Sequence, residues 1–501
     1  MALVPARAGG VLLHPTSLPG PHGIGDLGPE AHRWVEWLAE AGFRLWQILP
    51  LGPTGFANSP YQSHSSFAGN PLLISLTELH QHGLLSAEDL VPLTMLPAEA
   101  VDFERVIPLK QKLLAQAVAA SPGASSDERQ AFEAFVEAER SWLEDAALFL
   151  ALVRGFEGKP WHEWSAGLTG RKAADLKEAR RRLATEVEAE KWKQFWFHRQ
   201  WGAMRARAAE LGVSIIGDLP IYAAANSADT WAHPELFRLD THGRPLAVAG
   251  VPPDYYTPTG QLWGNPVYAW ERHTETGFAW WIERVRAGLR ATDILRIDHF
   301  RGLQAYWEVA AGQPTAEVGE WVAGPGAGLL KALQASLGSL PLLAEDLGFI
   351  TPEVVELRRA FHLPGIKILQ FGLEAGPESL DLPHNYETVT AAFTGTHDND
   401  TSRGWYDSAD ETTRHFARRY LTADDREIVP AMVRVLWSSV AAWTIVPMQD
   451  VLQLGSEARM NRPGQAEGNW TWRMTGEQWK RAPAGWLEDL SRVYGRLGIP
   501  A

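Results

Sequence analysis

Four acidic residues each follow a short apolar run. Asp218 ends Val213-Ser-Ile-Ile-Gly-Asp218 and Asp298 ends Asp293-Ile-Leu-Arg-Ile-Asp298. Glu345 follows Leu342-Leu-Ala344, and Asp398 lies just beyond Ala392-Phe-Thr-Gly-Thr396. Such runs read as buried β-strands. One acid leaving a strand reads as a structural carboxylate held by backbone or arginine, since an unpartnered buried acid is costly. Four at matching positions of separate strands read as a reaction centre. A pair of carboxyl groups suits glycosidic-bond chemistry, in which one protonates the departing oxygen and the other attacks the anomeric carbon or activates water. Their pKa values must then be driven apart. Arg296, two residues before Asp298, shares its side of the strand. That cation favours an ionised Asp298, suited to a nucleophile. Glu345 has no adjacent cation, and burial would raise it, suiting a general acid. Asp346 faces the other way and reads as structural.

Asp398 sits in Thr396-His-Asp-Asn-Asp400, which resembles the start of a calcium loop. The match fails because Arg403 stands where position six needs Gly, and Ala409 where position twelve needs Glu. No H-E-x-x-H occurs either, so no metal is expected. His397 beside Asp398 suits a hydrogen bond to a hydroxyl; the alternative is a satisfied core histidine.

These residues need a frame. Four further runs of the same kind, Gly10–His14, Phe43–Leu49, Ile366–Gln370 and Trp443–Met448, bring the total to eight. Strands alternating with helical patterns favour a parallel sheet, and eight units favour a closed (β/α)8 barrel with its acids at the C-terminal strand ends. The first helix opens at Gly28-Pro29, carries Trp34, Trp37, Leu38 and Ala41 on one face, and stops at Gly42. Residues 54–212 read as a helical insertion, with helices over 102–120, 128–153 and 170–211. Residues 220–280 are rich in Pro, Gly, Tyr and Trp and read as a long ordered loop, and 301–340 as a third insertion.

The 501 residues carry a net charge of −14, which argues against nucleic acid, whose binding draws on Lys and Arg. There are no cysteines, so disulfides, thiolate metal sites and cysteine nucleophiles are excluded. No secretory leader and no apolar run long enough to span a bilayer is legible, so a cytoplasmic place and no membrane association are expected. The 23 tryptophans serve either core packing or stacking on sugar rings; composition does not choose.

Leu295-Arg-Ile-Asp-His-Phe-Arg-Gly302, Ala344-Glu-Asp-Leu-Gly348 and Thr394-Gly-Thr-His-Asp-Asn-Asp400 resemble the signature blocks of glycoside hydrolase family 77, the amylomaltases. His14–Gly20, Ser59–Ser63, Gly69–Pro71, Gly217–Ile221, Gly264–Pro266 and Gly468-Asn-Trp-Thr-Trp472 resemble further family blocks, in family order. The resemblance implies an α-1,4-glucan as donor and acceptor, a retaining double displacement and no cofactor. By its pattern Asp298 is the nucleophile, Glu345 the acid/base and Asp398 the transition-state stabiliser. Tyr61, Asp218, Arg296, His299 and His397 belong by resemblance to the substrate-binding set, as do Gln261, Trp263 and Asn469. Residues 250–263 resemble a loop arching over the bound chain, and a monomer is expected. Asn58, Asn226 and Phe56 depart from the pattern, where Asp, Asp and Tyr are common, which touches subsite detail and not the reaction. The rivals are an α-amylase-like hydrolase, separated by its products, and a glucan-binding protein without turnover. A phosphate-using barrel would want a Gly-rich anion site, which Gln449–Gln453 does not offer.

Overall fold

A computed structural model describes residues 6–123, 125–253 and 257–498. Twelve strands occur among them, numbered here in chain order. Eight close into a parallel barrel: β1 (Ala8–Leu12), β2 (Leu45–Gln47), β3 (Ser214–Leu219), β6 (Ile294–Ile297), β9 (Leu342–Ala344), β10 (Gly365–Ile368), β11 (Thr390–Phe393) and β12 (Trp443–Pro447). They follow one another around the ring in sequence order, and β1 meets β12 to close it. The (β/α)8 class read from the sequence is therefore the fold. Nearly every barrel-strand residue is buried, as expected of a sheet covered by helices outside and side chains within. Gly10 makes one close approach possible: a Cβ there would lie 2.6 Å from that of Leu45 on the adjoining strand.

The first helix spans Pro29–Glu40, with proline at its start and Gly42 in a left-handed turn after it (φ 72°). Trp34 is fully buried, stacks on Trp37 at 5.1 Å and meets Trp46 of β2 edge-on at 6.2 Å. Truncating such a ring to alanine costs about 3–5 kcal/mol. Trp46, Trp161, Trp192, Trp196, Trp231, Trp281 and Trp437 are likewise fully buried, so much of the tryptophan content is core.

Between β2 and β3 the chain is helical, with two breaks that the apolar pattern did not show. The expected helix over 128–153 is two, Ser126–Ala138 and Arg140–Gly155, broken at Glu139. Its carboxylate holds Trp142 Nε1 at 2.6 Å and Arg290 at 3.1 Å. The expected helix over 170–211 breaks at Leu183 into Ala173–Arg182 and the 27-residue Ala184–Glu210. Polar residues of these helices pin the segment after the 54–63 loop. Gln194 exchanges hydrogen bonds with the Gly69 backbone (2.7 and 2.9 Å), and Gln200 does so with Ser75 (2.7 and 3.2 Å). Lys110, fully buried, donates to the carbonyls of Leu72 and Ile74 at 2.6 and 2.8 Å.

The reading of 220–280 as a loop is corrected. Residues 220–280 and 301–340 together build one antiparallel sheet in the order β5 (Gln261–Pro266), β4 (Ala247–Val251), β7 (Ala305–Ala310), β8 (Glu320–Ala323). Each stretch supplies one antiparallel pair, β4 with β5 and β7 with β8, and the β4–β7 ladder joins them across β6 in sequence. Asp254, Tyr255 and Tyr256, part of the expected arching loop, lie outside the described residues. Among the described residues no helix is long and apolar enough to cross a membrane.

Candidate active site

The acid cluster is assembled by strand register. Asp218 on β3 stands directly opposite Arg296 on β6, and Ile297 opposite Ala344 on β9. Asp298 and Glu345, each one residue further on, therefore leave neighbouring strands at one level. Arg296 Nη1 donates to both oxygens of Asp218 (2.7 Å each) and to Asp298 Oδ1 (2.8 Å). The period-two placement of Arg296 and Asp298 thus ends in a direct contact. Asp218 is spent on holding the guanidinium, while the Asp298 side chain remains 26% exposed.

Glu345 is held by main chain. Its oxygens accept from the backbone N–H of His299 at 2.6 Å and of Leu347 at 2.9 Å. His299 has a left-handed backbone (φ 48°), unusual for a residue with a Cβ. That turn aims its N–H at Glu345, and the Phe300 N–H bonds the Glu345 carbonyl at 3.0 Å. The His299 ring meets Trp263 edge-on at 4.8 Å, and burial pushes its pKa down to about 3, so it is neutral.

Asp398, with a side chain 44% exposed, enters from the loop after β11. Asn461 donates to its carboxylate at 2.6 Å, and Arg459 donates to its carbonyl at 2.6 Å. His397 Nε2 lies 3.4 Å from Asp398 and 2.9 Å from the Tyr61 hydroxyl. The His397 and Tyr61 rings stack at 5.3 Å and 15°, and Tyr61 donates to Asp218 at 2.7 Å. Burial, with Arg296 nearby, lowers His397 and keeps it neutral, against the pull of Asp398 and Asp218. Trp470, in a left-handed turn (φ 65°), closes this side at 5.9 Å from Tyr61 and 6.0 Å from His397.

Asp218 and Asp298 share one guanidinium, with Glu345 and Asp398 nearby, and the charge balance follows. Burial raises Asp298 to about 8, helped by Asp218, Glu345 and Asp398 and opposed by Arg296. Burial also raises Glu345, opposed by Arg296 and the two backbone donors. Arg296 does favour the ionised form of Asp298, as its place two residues earlier suggested, but burial outweighs it. Asp298 and Glu345, on neighbouring strands and both raised by burial, compete for protons.

The other residues singled out in the sequence fall in two groups. Gln261 and Trp263 lie on β5, joined by a 3.2 Å bond between their side chains, and Trp263 reaches the cluster through His299. Asn469 is buried, and its amide is occupied by the backbone of its own loop, at Arg462 and Gln465. Asn226 accepts from the Trp161 backbone at 3.2 Å, and Phe56 is exposed. Asn461 and Arg459 escaped the sequence reading, since nothing in their spacing ties them to Asp398. A cavity of about 540 Å³ adjoins the cluster at Tyr61 and Asp218 but runs off between β3 and the surrounding helices, past Phe197 and Trp201. It does not include Asp298 or Glu345.

The profile of the 4-alpha-glucanotransferase family matches residues 13–478. A 4-alpha-glucanotransferase of Thermus thermophilus is 50% identical over 477 residues, covering 93% of this chain and 95% of the relative. One from a Synechocystis strain is 46% identical, covering 98% of each. The amylomaltase of Streptococcus agalactiae in complex with acarbose superposes with a TM-score of 0.95 at 38% identity, covering 98% of this chain and 99% of that one. The fold, the clustered strand-end acids and these likenesses agree: the chain belongs to glycoside hydrolase family 77, the 4-α-glucanotransferases.

Proposed function

We propose that this enzyme moves α-1,4-glucan segments by a retaining double displacement in which Asp298 is the nucleophile and Glu345 the acid/base. The observation that carries the reading is the division of contacts. Arg296 touches Asp298 and not Glu345, which steers the shared proton toward Glu345. The ionised Asp298 attacks the anomeric carbon. The bond from that carbon to the departing glucan's O4 breaks, and Glu345 gives its proton to O4. A 4-hydroxyl of an acceptor glucan then attacks the glycosyl ester, returning its proton to Glu345 and freeing Asp298. Two displacements retain configuration, and the two carboxyls are expected about 5–5.5 Å apart.

Asp398 does not react. Oriented by Asn461, it holds ring hydroxyls and supports positive charge developing on the sugar. Tyr61, Asp218, Arg296 and His397 position that sugar, and His299, Gln261 and Trp263 line the approach beyond it. The loop 250–263 favours transfer over hydrolysis by binding acceptor and excluding water. Asn469 acts on the site through the loop that presents Trp470. Cyclic products arise when the acceptor is the chain's own free end. The enzyme works as a cytoplasmic monomer on maltooligosaccharides and amylose.

Incubation with maltotriose tests the reading. Glucose together with maltodextrins longer than the substrate is expected. Reducing ends released without longer products would make the enzyme a hydrolase.

A further inference from the structure

An aromatic pair stands outside the acid cluster and takes no part in it. Phe349 is 67% exposed and Trp321 on β8 is 39% exposed, both high for large rings. Their centroids lie 6.3 Å apart and their planes differ by only 23°. Arg301, itself buried, lies with its guanidinium 3.7 Å from the Trp321 ring centre and 5.9 Å from that of Phe349. The same guanidinium donates to the Phe349 carbonyl at 2.7 Å. Trp307, across the β7–β8 ladder, braces Trp321 edge-on at 5.3 Å. Gly348, at φ 82°, supplies the turn that leaves Phe349 outside. Both rings are therefore held in place while a large part of each meets solvent. Ordinary folding gives no reason to hold two exposed aromatics nearly parallel, and exposed apolar patches of this kind mark binding surfaces.

We propose that Trp321 and Phe349 form a platform for an α-1,4-glucan chain, engaging glucose units remote from the reacting bond. The claim rests on the glucan-transfer reading above. The platform is continuous with the acid cluster in covalent structure. Phe349 is four residues from Glu345, and Arg301 is three from Asp298. Glu345 is the residue that meets the departing and arriving O4, so the chain segment after it flanks the side where the leaving or accepting glucan extends. The C–H faces of glucose rings suit flat aromatic surfaces, and a neutral chain suits a patch whose cation is already stacked beneath the rings.

The test is the dependence of KM on chain length. With Phe349→Ala, KM should rise about 3- to 10-fold for amylose, in keeping with one lost ring contact. For maltotriose, which leaves at most about two glucose units beyond the reacting bond, the rise should stay below about twofold. Phe349→Trp should restore the amylose value, since any flat ring serves. Equal effects on both substrates, or no effect on either, would overturn the platform. So would a change of hydrodynamic mass in Phe349→Ala with the amylose KM unaltered, which would make the patch a protein contact. Failure of the wild-type enzyme to lengthen maltotriose would instead refute the transfer reading itself, so the two failures are distinct.

Discussion

Replacing Asp218 by asparagine keeps the shape of the cluster and removes one negative charge from it. Asp218 and Asp298 bind the same nitrogen of Arg296 at 2.7 and 2.8 Å. Their oxygens are therefore roughly 5 Å apart or closer, and at an effective dielectric constant of about 20 the repulsion is on the order of 3 kcal/mol. Partial exposure of Asp298 weakens this, leaving a shift of about one to two pKa units. The active form carries one proton on the Asp298–Glu345 pair. Loss of the first proton sets the acid limb of kcat/KM and loss of the second sets the basic limb. Asp218 as an anion raises Asp298. Removing it lowers the pair's pKa values, so the whole bell should move toward acid by about one to two units. Glucose release from maltotriose, followed over roughly pH 4 to 9, reads both limbs. Arg296→Met is the internal control. It removes the cation that lowers both acids, so its residual activity should peak at higher pH, with a loss of about 100-fold or more in kcat. An Asp218→Asn profile that stays in place, or moves to higher pH, would refute the charge account of the site.

Three further outcomes follow from the same contacts. Because burial raises Asp298 above its unfolded value, its ionisation costs stability as pH climbs from about 4 toward 8. Asp298→Asn should raise the melting temperature at neutral pH by about one degree, on the order of 1 kcal/mol, with no gain below about pH 4; calorimetry at both pH values checks it. Tyr61→Phe removes the hydroxyl that donates to Asp218 and meets His397, and kcat/KM should fall about 10-fold, measured on maltotriose. Lys110→Met strands the carbonyls of Leu72 and Ile74. It should lower stability by about 1–3 kcal/mol in chemical denaturation, while active-site titration of the folded fraction stays the same.

The barrel was legible because its strands are buried on both faces and so read as unbroken apolar runs, each stopped by an acid or a turn. The acid cluster was legible for a related reason. Period two put Arg296 and Asp298 on one side, and the chemistry of carboxyl pairs did the rest. Other features depend on partners far away in the chain. The strand Gln261–Pro266 contains Gly264, Asn265 and Pro266, which read as a turn, and the sheet it joins is completed only by β7, beyond β6 in sequence. Glu139 and Leu183 interrupt helices without glycine or proline; Glu139 anchors Trp142 and Arg290, and Leu183 packs against the helical core. Asn461 reaches Asp398 across 63 positions, and no spacing signals that. The upward shift of Asp298 was hidden for the same reason. The sequence shows the adjacent Arg296 but not the burial, or the Asp218 charge on another strand, that outweigh it.

The assignment of Asp298 as nucleophile is tested most directly by trapping the glycosyl-enzyme. An activated donor such as α-glucosyl fluoride needs little help from an acid to leave, so in Glu345→Gln the first displacement proceeds while the second, lacking its base, slows. Intact-mass spectrometry of that variant should show added glycosyl units, and peptide mapping should place them on Asp298. A glycosyl group mapped to Asp218, Asp398 or any other residue would contradict the account, as would undiminished turnover by Asp298→Asn.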